Sequence, residues 1–256
     1  MKTRIIALVN QKGGVGKTSC TLNIGAGLAN ERRRVLYVDA DPQGNLSTAL
    51  GIQTDGENTL FEVMKGDCPT KDSIVQTANG ADIIPADLAL AAADLVLANE
   101  PGKELLLREA LSPVKDQYDY ILIDCPPSLG LMTIVSLTAA NEVFVVMSPE
   151  YLPTKGLVQL TNTIAIVQKR LNPQIHISGV MLNLYDGRRK LHKEASAAIQ
   201  QQFPSATFHT RIRNAVAIAE SPSAHKDIFQ YRPSSHGGID FGALTVEIMD
   251  MEEDDE

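Results

Sequence analysis

Gln11-Lys12-Gly13-Gly14-Val15-Gly16-Lys17-Thr18-Ser19 stands between an apolar run, Arg4 to Val9, and a stretch with helical spacing, Lys17 to Asn30. A strand, a glycine loop and a helix in this order make an anion cradle. The glycines let successive backbone N–H groups turn inward, and the helix N-terminus adds partial positive charge. In such a loop Lys17 reaches the outer phosphates of a nucleotide, and the Thr18 hydroxyl can ligate Mg²⁺. Gly13, Gly14, Val15, Gly16 and Ser19 supply the surrounding backbone. The common pattern G-x-x-x-x-G-K-[ST] is not met, because Gln11 occupies its first glycine position and a second lysine, Lys12, precedes Lys17 by five residues. Two lysines pointing inward would crowd the same phosphates. Lys12 is therefore better used on a nucleotide held by a neighbouring subunit, with a solvated side chain as the alternative.

Outward from this loop the chain alternates. Short apolar runs recur at Val35 to Val38, Ala81 to Ile84, Tyr120 to Ile123, Val143 to Met147 and Ile175 to Leu182. Helical spacing fills Asp87 to Leu97, Lys103 to Lys115, Leu129 to Ala139, Thr154 to Leu171 and Arg189 to Gln202. Nearly continuous apolar strands separated by helices predict an α/β fold, a single P-loop NTPase domain with a mostly parallel, twisted sheet and helices on both faces. Ligands of such sheets lie beyond the carboxyl ends of the strands. No linker, repeat or low-complexity block divides the chain, so one domain is expected over 1–246. An acidic, disordered tail is expected over 247–256.

Two further stretches place carboxylates at strand ends. Val35-Leu36-Tyr37-Val38 runs into Asp39-Ala40-Asp41-Pro42-Gln43, and Tyr120-Ile121-Leu122-Ile123 runs into Asp124-Cys125-Pro126-Pro127-Ser128. Asp41, beyond the buried run, can orient or deprotonate an attacking water. Asp39 suits the metal's water shell or a loop backbone, and Asp124 suits metal-bound water or the Thr18 hydroxyl. Asn183 ends the run Ile177 to Leu182, where an amide can both donate to and accept from adenine, although an ordinary turn asparagine fits the position nearly as well. Beyond it, Arg188, Arg189 and Lys190 open a helical stretch. Such a basic cluster can neutralise the phosphates of a polymer, or can simply be a solvated helix face.

Composition narrows the classes. The net charge of −8 disfavours nucleic acid at first sight, but Glu247 to Glu256 hold seven acids and no base. Without them the other 246 residues carry only −1. Cys20, Cys68 and Cys125 show no CxxC spacing, so neither a disulfide framework nor a zinc site is expected. No stretch approaches the ~18 apolar residues of a membrane span, and the start has no signal-peptide layout, which together predict a cytoplasmic protein.

The loop resembles the deviant Walker A family, K-G-G-x-G-K-[ST], which includes the ParA, MinD, nitrogenase iron protein and arsenical-pump ATPases. Motif order extends the likeness to small, Soj-like ParA partition ATPases from Met1 to about Ala243. It runs through Lys12 to Thr18, Asp39 to Gln43, Asp124 to Ser128, Tyr185-Asp186-Gly187-Arg188 and Ala219-Glu220-Ser221-Pro222-Ser223.

The resemblance implies a Mg-ATP sandwich homodimer with Lys12 crossing to the partner's phosphates, hydrolysis linked to Asp41, and a segment around Arg211 and Arg213 closing over the base, with Arg213 as an ATP contact. It also implies non-specific DNA binding, in which Arg211 would join Arg188, Arg189 and Lys190. A ParB-type partner would stimulate hydrolysis, and the protein would associate with the nucleoid. Relatives often carry arginine where Ala217 stands, which shifts the burden of DNA binding to Arg188 and Arg189. A longer ParA with a helix-turn-helix extension is not expected. The rival readings are a MinD-like ATPase on a membrane, a positioner of protein cargo, and a ligase or metal-insertion ATPase. An acidic end would be repelled by anionic lipid, so no membrane partner is expected.

Overall fold

The computed structural model describes residues 2–149 and 155–252. Thr154 and the acidic residues 253–256 lie outside the described residues. Among the described residues eight strands form one sheet: β1 (Arg4–Val9), β2 (Val35–Asp39), β3 (Val75–Gln76), β4 (Asp82–Ile84), β5 (Tyr120–Asp124), β6 (Glu142–Met147), β7 (His176–Tyr185) and β8 (Thr207–Arg213). Their order is β3-β4-β2-β5-β1-β6-β7-β8. Every pairing is parallel except β3 with β4. The strand that feeds the glycine loop is therefore central.

Alternation along β1 divides the core. Ile5, Ala7 and Val9 face one apolar cluster, whereas Ile6 and Leu8 face the other. The first cluster lies under α3 (Leu60–Lys65), α4 (Ala93–Val96), α5 (Leu106–Leu111), α6 (Leu131–Ala139) and α7 (Lys155–Arg170). The second is covered by α1 (Lys17–Asn30), α2 (Asn45–Ala49) and the C-terminal helices. At the sheet's far edge α8 (Lys190–Gln202) connects β7 to β8. A sheet buried on both faces explains why its strands read as continuous apolar runs.

Helix α1 packs unusually close to the sheet. The Tyr37 hydroxyl donates to Leu22 O at 2.8 Å, and a Cβ at Gly25 would lie only 2.2 Å from the Tyr37 ring. Glycine at 25 is what permits this approach.

Three helices follow β8: α9 (Val216–Glu220), α10 (Ile228–Tyr231) and α11 (His236–Asp250). The tail expected to begin at 247 is corrected here, because α11 runs on to Asp250. Its Ser235 cap accepts from Gly238 N. Glu247 accepts from the N–H groups of His209 and Thr210 at the edge strand, and Glu252 bonds the Tyr120 hydroxyl and Arg33. These acids are held by specific partners, which a charge run in sequence does not reveal. Arg4 completes the closure. It makes two bonds to Glu142 of β6, at 2.6 and 2.7 Å, and a third to Ile248 O of α11 at 2.8 Å.

Candidate nucleotide site

The central strand ends at Val9 and runs into Asn10, whose side chain fixes the loop's entry. Its Oδ1 accepts from Lys12 N at 2.9 Å, and its Nδ2 donates to Val146 O at 2.6 Å. Gly14 and Gly16 both adopt positive φ, 74° and 87°. Residues with a side chain are strained there, so the turn that exposes the loop's N–H groups depends on glycine. Val15 is buried, Gly13 and Lys12 are exposed, and Lys17 is buried at the start of α1.

Register brings the carboxylates to the same edge. Asp39 of β2 pairs directly with Asp124 of β5, and Leu8 of β1 pairs with Asp124 on its other side. Thr18 Oγ1 donates to Asp124 Oδ2 at 2.6 Å, and Thr21 Oγ1 lies 3.3 Å from Oδ1. A cleft of about 540 Å³ is bordered by Gly13, Lys17, Thr18, Asp41, Pro127 and His225. Asp41 is buried, and its Oδ1 accepts from Gln43 N at 3.0 Å, which shapes the turn after β2.

Burial pushes the Asp124 carboxyl up to about 7, helped by the charge of Asp39 and opposed by the Thr18 hydroxyl and Lys17. Burial likewise pushes Asp39 up to about 6, against the Ser47 N–H and hydroxyl that stabilise its charged form. Buried acids of one sign beside a threonine hydroxyl suit a divalent cation, whose charge would offset theirs. Among the described residues no three His, Cys, Asp or Glu side chains converge as a direct metal cage. The donor set therefore fits a cation held by the Thr18 hydroxyl and water, as Mg²⁺ prefers.

These shifts set a pH dependence. With folded values above the ordinary carboxylate range, the nucleotide-free fold binds more protons than the unfolded chain between about pH 4 and 7. Stability from these groups is present at the acidic end and is lost as pH rises. Asp124→Asn is thus expected to gain stability relative to the parent chain between pH 5 and pH 8, by on the order of 1–3 kcal/mol. Denaturant melts at the two pH values check this; a stability difference that stays constant would contradict it.

The structure gives several of these side chains specific partners. Asp39 is engaged by the turn after β2: its Oδ2 accepts from Ser47 N at 2.9 Å and Ser47 Oγ at 2.8 Å, and its Oδ1 from Asp41 N at 3.3 Å. It holds the loop backbone, one of the two roles its position allowed. Asn183 is not presented to a base through its amide nitrogen. Its Nδ2 donates to Val15 O at 2.8 Å, and the residue is only 2% exposed. A Cβ on Gly16 would come within 2.2 Å of that nitrogen. Gly16→Ala is accordingly expected to weaken ATP binding about tenfold or more, through backbone strain and displacement of Asn183. Calorimetric titration checks this, and unchanged affinity would contradict the coupling of Asn183 to the loop.

Arg211 is also redirected. Its guanidinium bonds Phe208 O and Ser196 Oγ between β8 and α8, where burial lowers its basicity. Arg188, Arg189 and Lys190 remain on the surface, with side chains 91%, 62% and 90% exposed. Asp186 pairs with both arginines, which hold its carboxyl well below the usual range, Arg188 foremost. Arg213 pairs with Asp240 and borders a second cleft, of about 640 Å³, with Tyr185, Asp186, Arg188 and Asn214. Ala217 is buried against the second core cluster.

Sequence reading missed Asn10, Ser47, His192 and His225. His192 Nδ1 accepts from Asp186 N at 3.0 Å, and His225 Nδ1 donates to Thr48 O at 2.8 Å, so it clamps α2 against the Ser221–Ala224 turn. Polar residues at strand ends were the available signal for Asn10. The other three are joined to their partners by chain folding alone.

A protein-family profile described as an AAA domain matches residues 3–177. The sporulation initiation inhibitor protein Soj of Bacillus subtilis is 42% identical over 247 residues, covering 96% of this chain and 98% of that one. The chain belongs to the ParA/MinD family of P-loop ATPases. The chromosome partitioning protein ParA of Caulobacter vibrioides is 39% identical over 255 residues, covering 98% and 96%. A solved Mycobacterium smegmatis structure, described as cobyrinic acid a,c-diamide synthase with bound ADP and magnesium, superposes with a TM-score of 0.87 at 32% identity. It covers 99% of this chain and 97% of its own. Family membership makes this an ATPase with ATP and Mg²⁺ as its cofactors, and among the described residues the cysteines are free and buried.

Proposed function

We propose that this ATPase partitions DNA, cycling between an ATP-bound homodimer that holds DNA without sequence preference and an ADP-bound form that releases it. The observation that carries the reading is the shared edge of the sheet. The phosphate loop follows β1, and the exposed Arg188, Arg189 and Lys190 follow β7, both at carboxyl ends. A nucleotide that moves the loop can thus move the basic surface. Asn183 bridges the two, since it lies in β7 and its Nδ2 donates to Val15 O of the loop. The near full-length likeness to the Caulobacter partitioning protein supports the same cargo.

In this reading Lys17 and the N–H groups of Gly13, Gly14, Val15, Gly16, Thr18 and Ser19 hold the phosphates. Thr18 would hold Mg²⁺ directly, with Asp124 acting through water. The cation supplies charge neutralisation of the phosphates when bound. Asp41 orients the attacking water, and Lys12 serves the partner subunit's nucleotide. Arg213 borders the space open to the base. A ParB-type protein is the partner that stimulates hydrolysis, and the nucleoid is the site of action.

Retention on random-sequence duplex DNA, compared with anionic liposomes, tests the reading in ATP, ADP and no nucleotide across a salt series. Binding to DNA in ATP alone, weakening steeply with salt, is the expected result. Liposome binding without DNA retention would move the assignment to a membrane ATPase. The synthase activity named for the Mycobacterium structure is separated by ATP turnover without any added acceptor. A partition ATPase hydrolyses ATP under that condition, whereas a synthase needs its second substrate.

A further inference from the structure

His225 borders the phosphate cleft with its backbone at φ 51°, in the left-handed region. Histidine is among the side chains that tolerate this region, but the strain persists only where neighbouring contacts hold it. The ring supplies such a contact. Its Nδ1 donates to Thr48 O at 2.8 Å, across 177 residues of chain. Gly51 N donates to the same oxygen at 3.0 Å, so both lone pairs of this carbonyl near the end of α2 are used.

Helix α2 has five residues, too few to hold its shape unaided. Its bonds run in series from the ring to the turn after β2. Thr48 N donates to Gly44 O at 2.9 Å, and Gly44 N donates to Asp41 O at 2.9 Å. The position of Asp41 is thereby tied to the far end of α2, and that end is tied to His225.

The same segment has a second foot, on α1. Ile228 N donates to Asn23 Oδ1 at 2.7 Å, and Asn23 Nδ2 donates to Ser19 O at 2.7 Å, in the first turn after the phosphate loop. Asn23 is fully buried. Between the two feet the Ser221–Ala224 turn closes on itself, with His225 N bonded to Pro222 O at 3.0 Å and Lys226 N to Ser221 O at 3.1 Å. Residues 221–228 thus strap the helix that carries Lys17 and Thr18 to the turn that carries Asp41.

We infer that His225 is a positioning residue for hydrolysis, a role that rests on the part proposed above for Asp41. Its bond to Thr48 O holds the Asp41 turn at a fixed place relative to Lys17 and Thr18. A small displacement of a group that aims the attacking water slows the reaction, whereas phosphate binding depends on the loop and α1 and is left intact.

Two substitutions separate the bond from the backbone. His225→Gly removes the bond and relieves the strain, since glycine adopts φ 51° freely. His225→Asn keeps a residue that tolerates the left-handed region and brings an amide N–H toward Thr48 O. ATP turnover, calorimetric ATP affinity and amide hydrogen exchange over residues 41–50 are measured for each. His225→Gly is expected to lower kcat about three- to tenfold, the range for loss of one hydrogen bond, with ATP affinity within about twofold of the parent. Exchange at the Gly44 and Thr48 amides should quicken by about threefold or more. His225→Asn should bring kcat and exchange back to within about twofold of the parent. Added to Asp41→Asn, His225→Gly should cost nothing further, because the two residues act as one unit.

Parent turnover in His225→Gly, unchanged exchange over 41–50, no recovery in His225→Asn, or a full further loss on Asp41→Asn each overturns the inference. So does a loss of ATP affinity as large as the loss of kcat, which would make His225 a binding contact. Parent turnover by Asp41→Asn itself would instead sink the hydrolytic role of Asp41, and the exchange rates would still decide whether His225 holds the turn.

Discussion

Lys17→Ala is expected to lose measurable ATP binding and to cut turnover by about a thousandfold or more. Lys17 is buried at the mouth of α1, and its charge is among those that lower the Asp124 carboxyl toward its ordinary range. Without it, Asp39, Asp41 and Asp124 crowd the site with negative charge and repel a polyphosphate. The glycine turn would persist, because φ at Gly14 and Gly16 is a property of the backbone. The loss should therefore appear as failed binding in a folded protein. Lys17→Arg separates charge from shape: a guanidinium keeps the charge but is a planar fork in a loop fitted to a compact ammonium. Calorimetric titration with ATP and a phosphate-release assay measure both effects. Retained micromolar binding by Lys17→Ala would contradict the assigned phosphate contact.

Asp41→Ala should separate binding from hydrolysis, leaving ATP affinity near that of the parent chain while turnover falls about a hundred- to ten-thousandfold. Asp41 sits beyond the β2 register that pairs Asp39 with Asp124, and it borders the phosphate cleft. It also accepts from Gln43 N, so a loss of activity could reflect a deformed turn instead of lost chemistry. Asp41→Asn resolves this. The amide oxygen can still accept from Gln43 N, but the side chain no longer acts as a base. If Asp41→Asn hydrolyses ATP at the parent rate, the residue shapes the turn and another group positions the water.

The sheet's central strands were legible because both their faces are buried. β1 begins and ends where its apolar run does, and α1 follows the glycine loop at Lys17 as the motif requires. The edge was harder. β8, Thr-Phe-His-Thr-Arg-Ile-Arg, is only half covered and spends its polar residues on α8 and α11, so it lacks a continuous apolar signature. Helix α11 was hidden by Gly237 and Gly238 in its first turn and by acids that read as a tail. In the site, motif spacing brought out residues whose chemistry is local, such as Lys17, Thr18 and Asp124. It did not assign Asp39 to Ser47 or Asn183 to Val15, because those bonds join segments 8 and 168 residues apart through the fold. Arg211 shows the limit of counting charges: on β8 it turns to Phe208 O and Ser196 Oγ, while Arg188 in the segment after β7 stays in solvent.

The most direct measurement is sedimentation of Asp41→Ala protein with random-sequence duplex DNA, in Mg-ATP and in Mg-ADP. A species of twice the chain mass in Mg-ATP, bound to DNA, and a DNA-free monomer in Mg-ADP are the expected results. A monomer in both nucleotides, or DNA binding that ignores the nucleotide, would contradict an ATP-gated dimer as the working form.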